Sequence, residues 1–98
     1  MTFRFDKESI TALSPEGIPM GRICFPRIHA GLVNISQFTV LPAFRMQGVE
    51  DLLMEALLTH LEEQGLKAIL TCSFAQQYVQ KNPQWAKILP GEIHFTKY

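Results

Sequence analysis

Ninety-eight residues, 47% apolar and 18% charged, carry enough hydrophobic surface for a single folded domain spanning residues 1–98 and leave no room for a second core. Nine Lys and Arg balance nine Asp and Glu, so no global positive field exists to gather a polyanion, and nucleic acid is not an expected partner. No apolar run exceeds three residues, which excludes a membrane-spanning helix of about 20 residues, and two cysteines are too few for the disulfide framework of a small secreted domain.

Met1 to Asp6 carries Arg4 and Asp6 where a secretory signal would be uninterrupted apolar chain, so the expected address is the cytoplasm with both thiols reduced. Thr2 to Asp6, Ile10 to Leu13, Ile18 to Phe25 and Leu32 to Leu41 are rich in Ile, Val, Phe and Thr and read as four strands. Ser14-Pro15-Glu16-Gly17 reads as a turn between two of them; Pro26 to Gly31 breaks the run, and Pro42 closes the fourth strand.

From Gly48 the period changes to that of a helix. Val49, Leu52, Leu53, Ala56, Leu57, His60, Leu61 and Gln64 fall on one side at 100° per residue, with Asp51, Glu55, Thr59, Glu62 and Glu63 on the solvent side. Gly65 stops this helix. Lys67 to Thr71 then reads as a short strand, Ser73 to Lys81 as a second helix ending before Asn82-Pro83, and Glu92 to Thr96 as a last strand. Antiparallel strands followed by a β-α-β unit imply an α+β fold: a mixed sheet with helices packed on it.

The segment Val40-Leu41-Pro42-Ala43-Phe44-Arg45-Met46-Gln47-Gly48-Val49-Glu50 lies where a strand ends and the long helix begins. Unpaired N–H groups and the helix dipole make such a junction an anion site. Cys72 ends a strand and precedes a helix, a position that favours the thiolate. A Cys among Ile69, Leu70 and Phe74 reads equally as a small core residue, and the sequence leaves both readings open. Cys24 alternates with Ile23 and Phe25 and is expected to pack; His60 reads as a core histidine, and His29 as a loop residue. The histidines lie at least thirty positions apart, so no metal site is expected.

The Val40 to Glu50 segment resembles the V-x-P-x-x-R-G-x-G-x-G/A pattern of the GCN5-related N-acetyltransferases (GNAT family). Val40, Pro42, Arg45 and Gly48 match, while Met46 and Glu50 stand where the pattern has Gly and Gly or Ala. Leu66-Lys67, the following apolar strand, Thr71-Cys72-Ser73, Tyr78 and Lys81-Asn82-Pro83-Gln84-Trp85 are similar to the ending of a branch of that superfamily of roughly this length. The likeness covers about Phe38 to Trp85.

The resemblance implies a GNAT-like fold and an acetyl-coenzyme-A-dependent transfer to a small-molecule or protein amine. It implies that Phe38, Thr39 and Val40 offer strand backbone to the pantetheine arm, and that Arg45, Met46, Gln47, Gly48, Val49 and Glu50 hold the pyrophosphate. It places the catalytic role at Cys72, whose thiolate could take the acetyl group itself or receive the proton of an incoming amine, and sets Tyr78 near the superfamily's tyrosine that reprotonates coenzyme A, a position that equally suits a tyrosine anchored against the sheet. Full-length members of the superfamily have two helices between the first strands; this chain goes from strand to turn to strand, so an open acceptor site is expected. The alternatives are a protein of the same fold that binds acyl-coenzyme A without turnover, or a plain interaction domain. A monomer or weak homodimer is expected.

Overall fold

Local hydrogen bonds close the first two hairpins of the computed structural model, which describes residues 1–45 and 47–90. β1 (Thr2–Phe5) turns into β2 (Ser9–Leu13) where the Asp6 N–H donates to the Ser9 carbonyl, 2.8 Å away. β2 turns into β3 (Pro19–Cys24) at Ser14-Pro15-Glu16-Gly17, where Gly17 takes φ +84° and the Ser14 hydroxyl accepts the Ile18 N–H.

The expected fourth strand is two strands. β3 runs through Phe25-Pro26 into a short β4 (Arg27–His29), inside the segment read as a break. The chain reverses at Gly31 (φ +90°) into β5 (Leu32–Ile35), passes Ser36, and continues as β6 (Gln37–Val40). Pro26 cannot donate to the ladder, but its carbonyl accepts the Asn34 N–H, so pairing survives the proline. Between the pairs Cys24↔Gln37 and Arg27↔Val33 one side advances three residues and the other four. The extra residue is a β-bulge, and it divides one long hairpin between two sheets. The first sheet has the order β1-β2-β3-β6; the second has β4-β5-β7, with β7 (Lys67–Leu70) parallel to β5.

α1 (Val49–Glu63) covers the inner faces of both sheets and joins β6 to β7. It ends in a Schellman arrangement: the Leu66 N–H donates to Leu61, the Gly65 N–H donates to Glu62, and Gly65 sits at φ +71°. Its buried residues are Val49, Leu53, Met54, Leu57, Leu58 and Leu61. Leu52, expected on this face, is 50% exposed, and Gln64 is exposed as well. The buried arc turns towards Met54 and Leu58 because α1 also packs on α2 (Ser73–Lys81) and on a 3-10 segment, Pro83–Ile88, that the strand and helix signals did not indicate. Trp85 and Ile88 of that segment join the core. The strand expected at Glu92 to Thr96 lies outside the described residues.

Candidate active site

β7 and β6 part company at one residue. β7 follows β5 as far as Ile35↔Leu70. The N–H groups of Thr71 and Cys72 then both donate to the Ile35 carbonyl, at 3.1 and 3.2 Å, and the chain turns away into α2. Past this fork, among the described residues, no strand pairs with the outer edge of β6. The Leu41 N–H donates inward to Met20, so Thr39 and Gln37 also direct their backbone groups to β3, and Phe38 and Val40 direct theirs to the open edge. The Val40 carbonyl on that edge accepts a hydrogen bond from Arg45 Nε at 3.2 Å.

The edge leads to the loop that precedes α1. After a 3-10 turn at Pro42–Phe44, Gly48 takes φ +82° and caps α1 without a side-chain hydrogen bond, so the first N–H groups of the helix have no capping oxygen from it. A side chain at Gly48 would meet nothing within 4 Å; glycine is required there by the left-handed backbone, not by crowding. Phe38, Thr39, Val40, Arg45, Gly48 and Glu50 line one continuous groove. Val49 does not line the groove, since its side chain is buried in the core. The Gln47 amide donates to Ala43 and braces the loop. Met46 lies outside the described residues.

Three further residues line the groove: Asp51, Phe74 and Lys81. Asp51 is exposed, as its place on the wheel requires, yet it borders the groove as well. Phe74, Tyr78 and Lys81 are spaced i, i+4, i+7 along one face of α2, and that spacing was the available signal for Phe74 and Lys81. The Phe74 ring stacks on Phe38, with centroids 4.5 Å apart, and forms the groove's aromatic wall.

Cys72 stands at the fork itself, half-buried, at the N-cap of α2, where its side chain packs against the core margin. Tyr78 lies behind the wall, one ring beyond Phe74. Its hydroxyl donates to Glu55 Oε1 at 2.9 Å, and Trp85 Nε1 donates to the same oxygen at 3.2 Å. Burial, the Glu55 hydrogen bond and the charges of Glu55 and Asp51 together hold the phenol above its ordinary pKa. The groove therefore joins the β6 strand to the Gly48 loop; Cys72 stands at the fork, outside the residues that line it, and Tyr78 lies one layer back. Cys24 sits on the other face of the first sheet, in an open groove with Arg4, Arg22 and Thr39, which no helix covers among the described residues. His60 stacks on Phe5 at the edge of the core.

An antiparallel sheet that splits from a parallel one beside a helix N-terminus is the architecture of the acyl-coenzyme-A-dependent N-acetyltransferases. The family model described as GCN5-related N-acetyl-transferase matches residues 11–88, and the chain belongs to that family. Protein NATD1 of human, mouse and chicken is 38% identical over 52 residues, which are 53% of this chain. The matched segment spans about half the length of these curated relatives. The solution structure of a GCN5-like protein from Staphylococcus aureus superposes with a TM-score of 0.73 at 23% identity, covering 96% of this chain and 92% of that one. Tetrahymena GCN5 gives 0.64 at 21% identity over 92% and 63% of the two chains. The aminoglycoside N-acetyltransferase AAC(6')-Iy, solved in complex with CoA, gives 0.52 at 21% identity over 92% and 72%. No described helix is long and apolar enough to cross a membrane.

Proposed function

We propose that the chain is an acetyl-coenzyme-A-dependent N-acetyltransferase with Cys72 as its catalytic thiol. The observation that carries this reading is the open edge of β6, which runs from the Gly48 loop at one end to the Cys72 fork at the other. Four strand residues span about 13 Å, a length suited to an extended arm lying between a phosphate site and a reacting thiol. Phe38 and Val40 would hold such an arm by backbone hydrogen bonds. Arg45, Lys81 and the first N–H groups of α1 would hold the pyrophosphate. When bound, acetyl-coenzyme A supplies an activated thioester. Cys72 would then either accept the acetyl group or take the proton of the attacking amine. Tyr78 remains protonated, and any catalytic use of its proton requires the Glu55 hydrogen bond to open.

Binding without turnover is the second reading, favoured by Glu50 and Asp51, whose carboxylates line the groove that the phosphates would enter. One pair of measurements separates the two. Acetyl-coenzyme A at about 100 times its dissociation constant is expected to add about 2.7 kcal/mol of stability, raising the melting temperature by roughly 10 °C, while free adenine does much less. Cys72→Ala is expected to keep that shift and lose acetyl transfer. A flat melting curve at millimolar acetyl-coenzyme A would remove both readings; wild-type turnover by Cys72→Ala would remove the role of the thiol.

A further inference from the structure

The outer edge of β1 has no strand beside it among the described residues. Because the Asp6 N–H donates to Ser9 on β2, the backbone groups of Arg4 also face β2, and those of Phe3 and Phe5 face outward, free to pair. Beside this edge runs a mostly apolar groove formed by Phe3 and Phe5 of β1 with Leu52, Ala56 and His60 of α1, and bordered by Glu55 and Glu63 as well. Phe5 is 40% exposed and Leu52 is 50% exposed. On the opposite face of the sheet, Arg4 and Asp6 line the same groove as Cys24. Neither makes an ion pair among the described residues, where the pair recorded is Lys87–Glu62.

We propose that this edge binds a second copy of the chain, β1 against β1 in antiparallel fashion about a two-fold axis through Phe5. Residues opposite one another across such a pair face the same side, so the axis must pass through a residue. Charge then selects the residue. An axis at Arg4 sets Arg4 against the second copy's Arg4, and an axis at Asp6 sets two aspartates together. An axis at Phe3 sets Arg4 against Thr2. With the axis at Phe5, each Arg4 lies opposite Asp6 of the other copy, twice over, on the polar face where both side chains already point. The Phe5 residues exchange their free N–H and C=O groups, and the two apolar grooves merge on the α1 face. Charged side chains on an edge strand ordinarily block pairing; here they oppose two registers, leave the Phe3 register without a charge pair and favour the one at Phe5.

The test is sedimentation equilibrium of the whole chain over a concentration series, combined with amide exchange at Phe5. The expected result is reversible dimerisation, with Phe5 N–H exchange slowing as concentration rises. Arg4→Asp and Asp6→Arg should each weaken association roughly tenfold or more, because each turns two attractive cross-strand pairs into repulsive ones. The double variant Arg4→Asp/Asp6→Arg should return to within about threefold of wild type, since the pairs are restored with signs exchanged. A chain that stays monomeric overturns the proposal, as it would if the free edge served an extended peptide of another protein. Single variants that associate like wild type, or a double variant no better than the singles, overturn the register. Acetyl-coenzyme A plays no part in these measurements, so their outcome is independent of the proposed activity.

Discussion

The Tyr78 hydroxyl ties α2 to α1 by donating to Glu55 Oε1. Its place on α2 was legible because Asn82-Pro83 ends that helix and counting back fixes the face. Its partner was not legible, because Glu55 sits on α1 among acidic residues that the wheel assigns to solvent; only the packing of α1 on α2 turns Glu55 towards the phenol and the Trp85 indole. The raised phenol pKa has a consequence for stability. The folded chain holds the Tyr78 proton where the unfolded chain releases it near pH 10, so this contribution is complete below about pH 10 and falls away as pH rises beyond it. Melting temperatures measured from pH 8 to 11 should drop more steeply for wild type than for Tyr78→Phe. At neutral pH, Tyr78→Phe should cost about 1 kcal/mol, the usual worth of one hydrogen bond, and should retain more acetyl transfer than Cys72→Ala.

At the scale of elements, the start of α1 and the pairing of β6 set how well the groove can work. Glu50 and Asp51 complement the helix dipole that a bound phosphate would otherwise satisfy. At about 6 Å from a phosphate, a carboxylate would repel it by roughly 3 kcal/mol at an effective dielectric near 20, and solvent and counterions would bring this to about 1 kcal/mol. Glu50→Ala should therefore strengthen acetyl-coenzyme A binding by about tenfold or less. The gain should shrink as salt rises, and the free protein should lose a few tenths of a kcal/mol of stability. Asp51→Ala should act in the same direction, since Asp51 also lines the groove. Calorimetric titration at two salt concentrations checks both. On β3, a Cβ added at Gly21 would lie 3.0 Å from Val40 Cγ2 and 3.1 Å from the Thr39 carbonyl oxygen. The Val40 methyl is free to turn, but the carbonyl belongs to the β6 backbone and yields only if the strand moves. Gly21→Ala should therefore cost about 1–3 kcal/mol and weaken acetyl-coenzyme A binding as well, measured by melting and by titration.

Over the whole molecule, the order of elements from Gly48 to Asn82 was legible because each is punctuated: Gly48 and Gly65 bound α1, and Cys72 and Asn82-Pro83 bound α2. The division of the N-terminal strands into two sheets was harder to read. Pro26 looks like an end, yet its carbonyl carries the ladder onward. Ser36 is no breaker, and nothing local announces that β5 and β6 have different neighbours. A signal was nevertheless present in the phase of the apolar residues. Val33 and Ile35 are buried at odd positions, whereas Phe38 and Val40 face the core at even ones. Two polar residues in succession, Ser36 and Gln37, mark the change.

That change of phase makes chain length at the bulge a determinant of chemistry. Strand side chains alternate with a period of two, so the bulge that takes up the single extra residue near Ser36 is what allows both sheets to present their apolar side to α1. Deleting Ser36 would remove the bulge: Val33, Ile35, Phe38 and Val40 would then alternate regularly with Asn34, Gln37 and Thr39, so Phe38 and Val40 would still face the core, but the bend that the extra residue gives the strand would be lost. β6 should then follow the line of β5 towards β7 and narrow the fork, in a chain from which no groove-lining side chain had been removed.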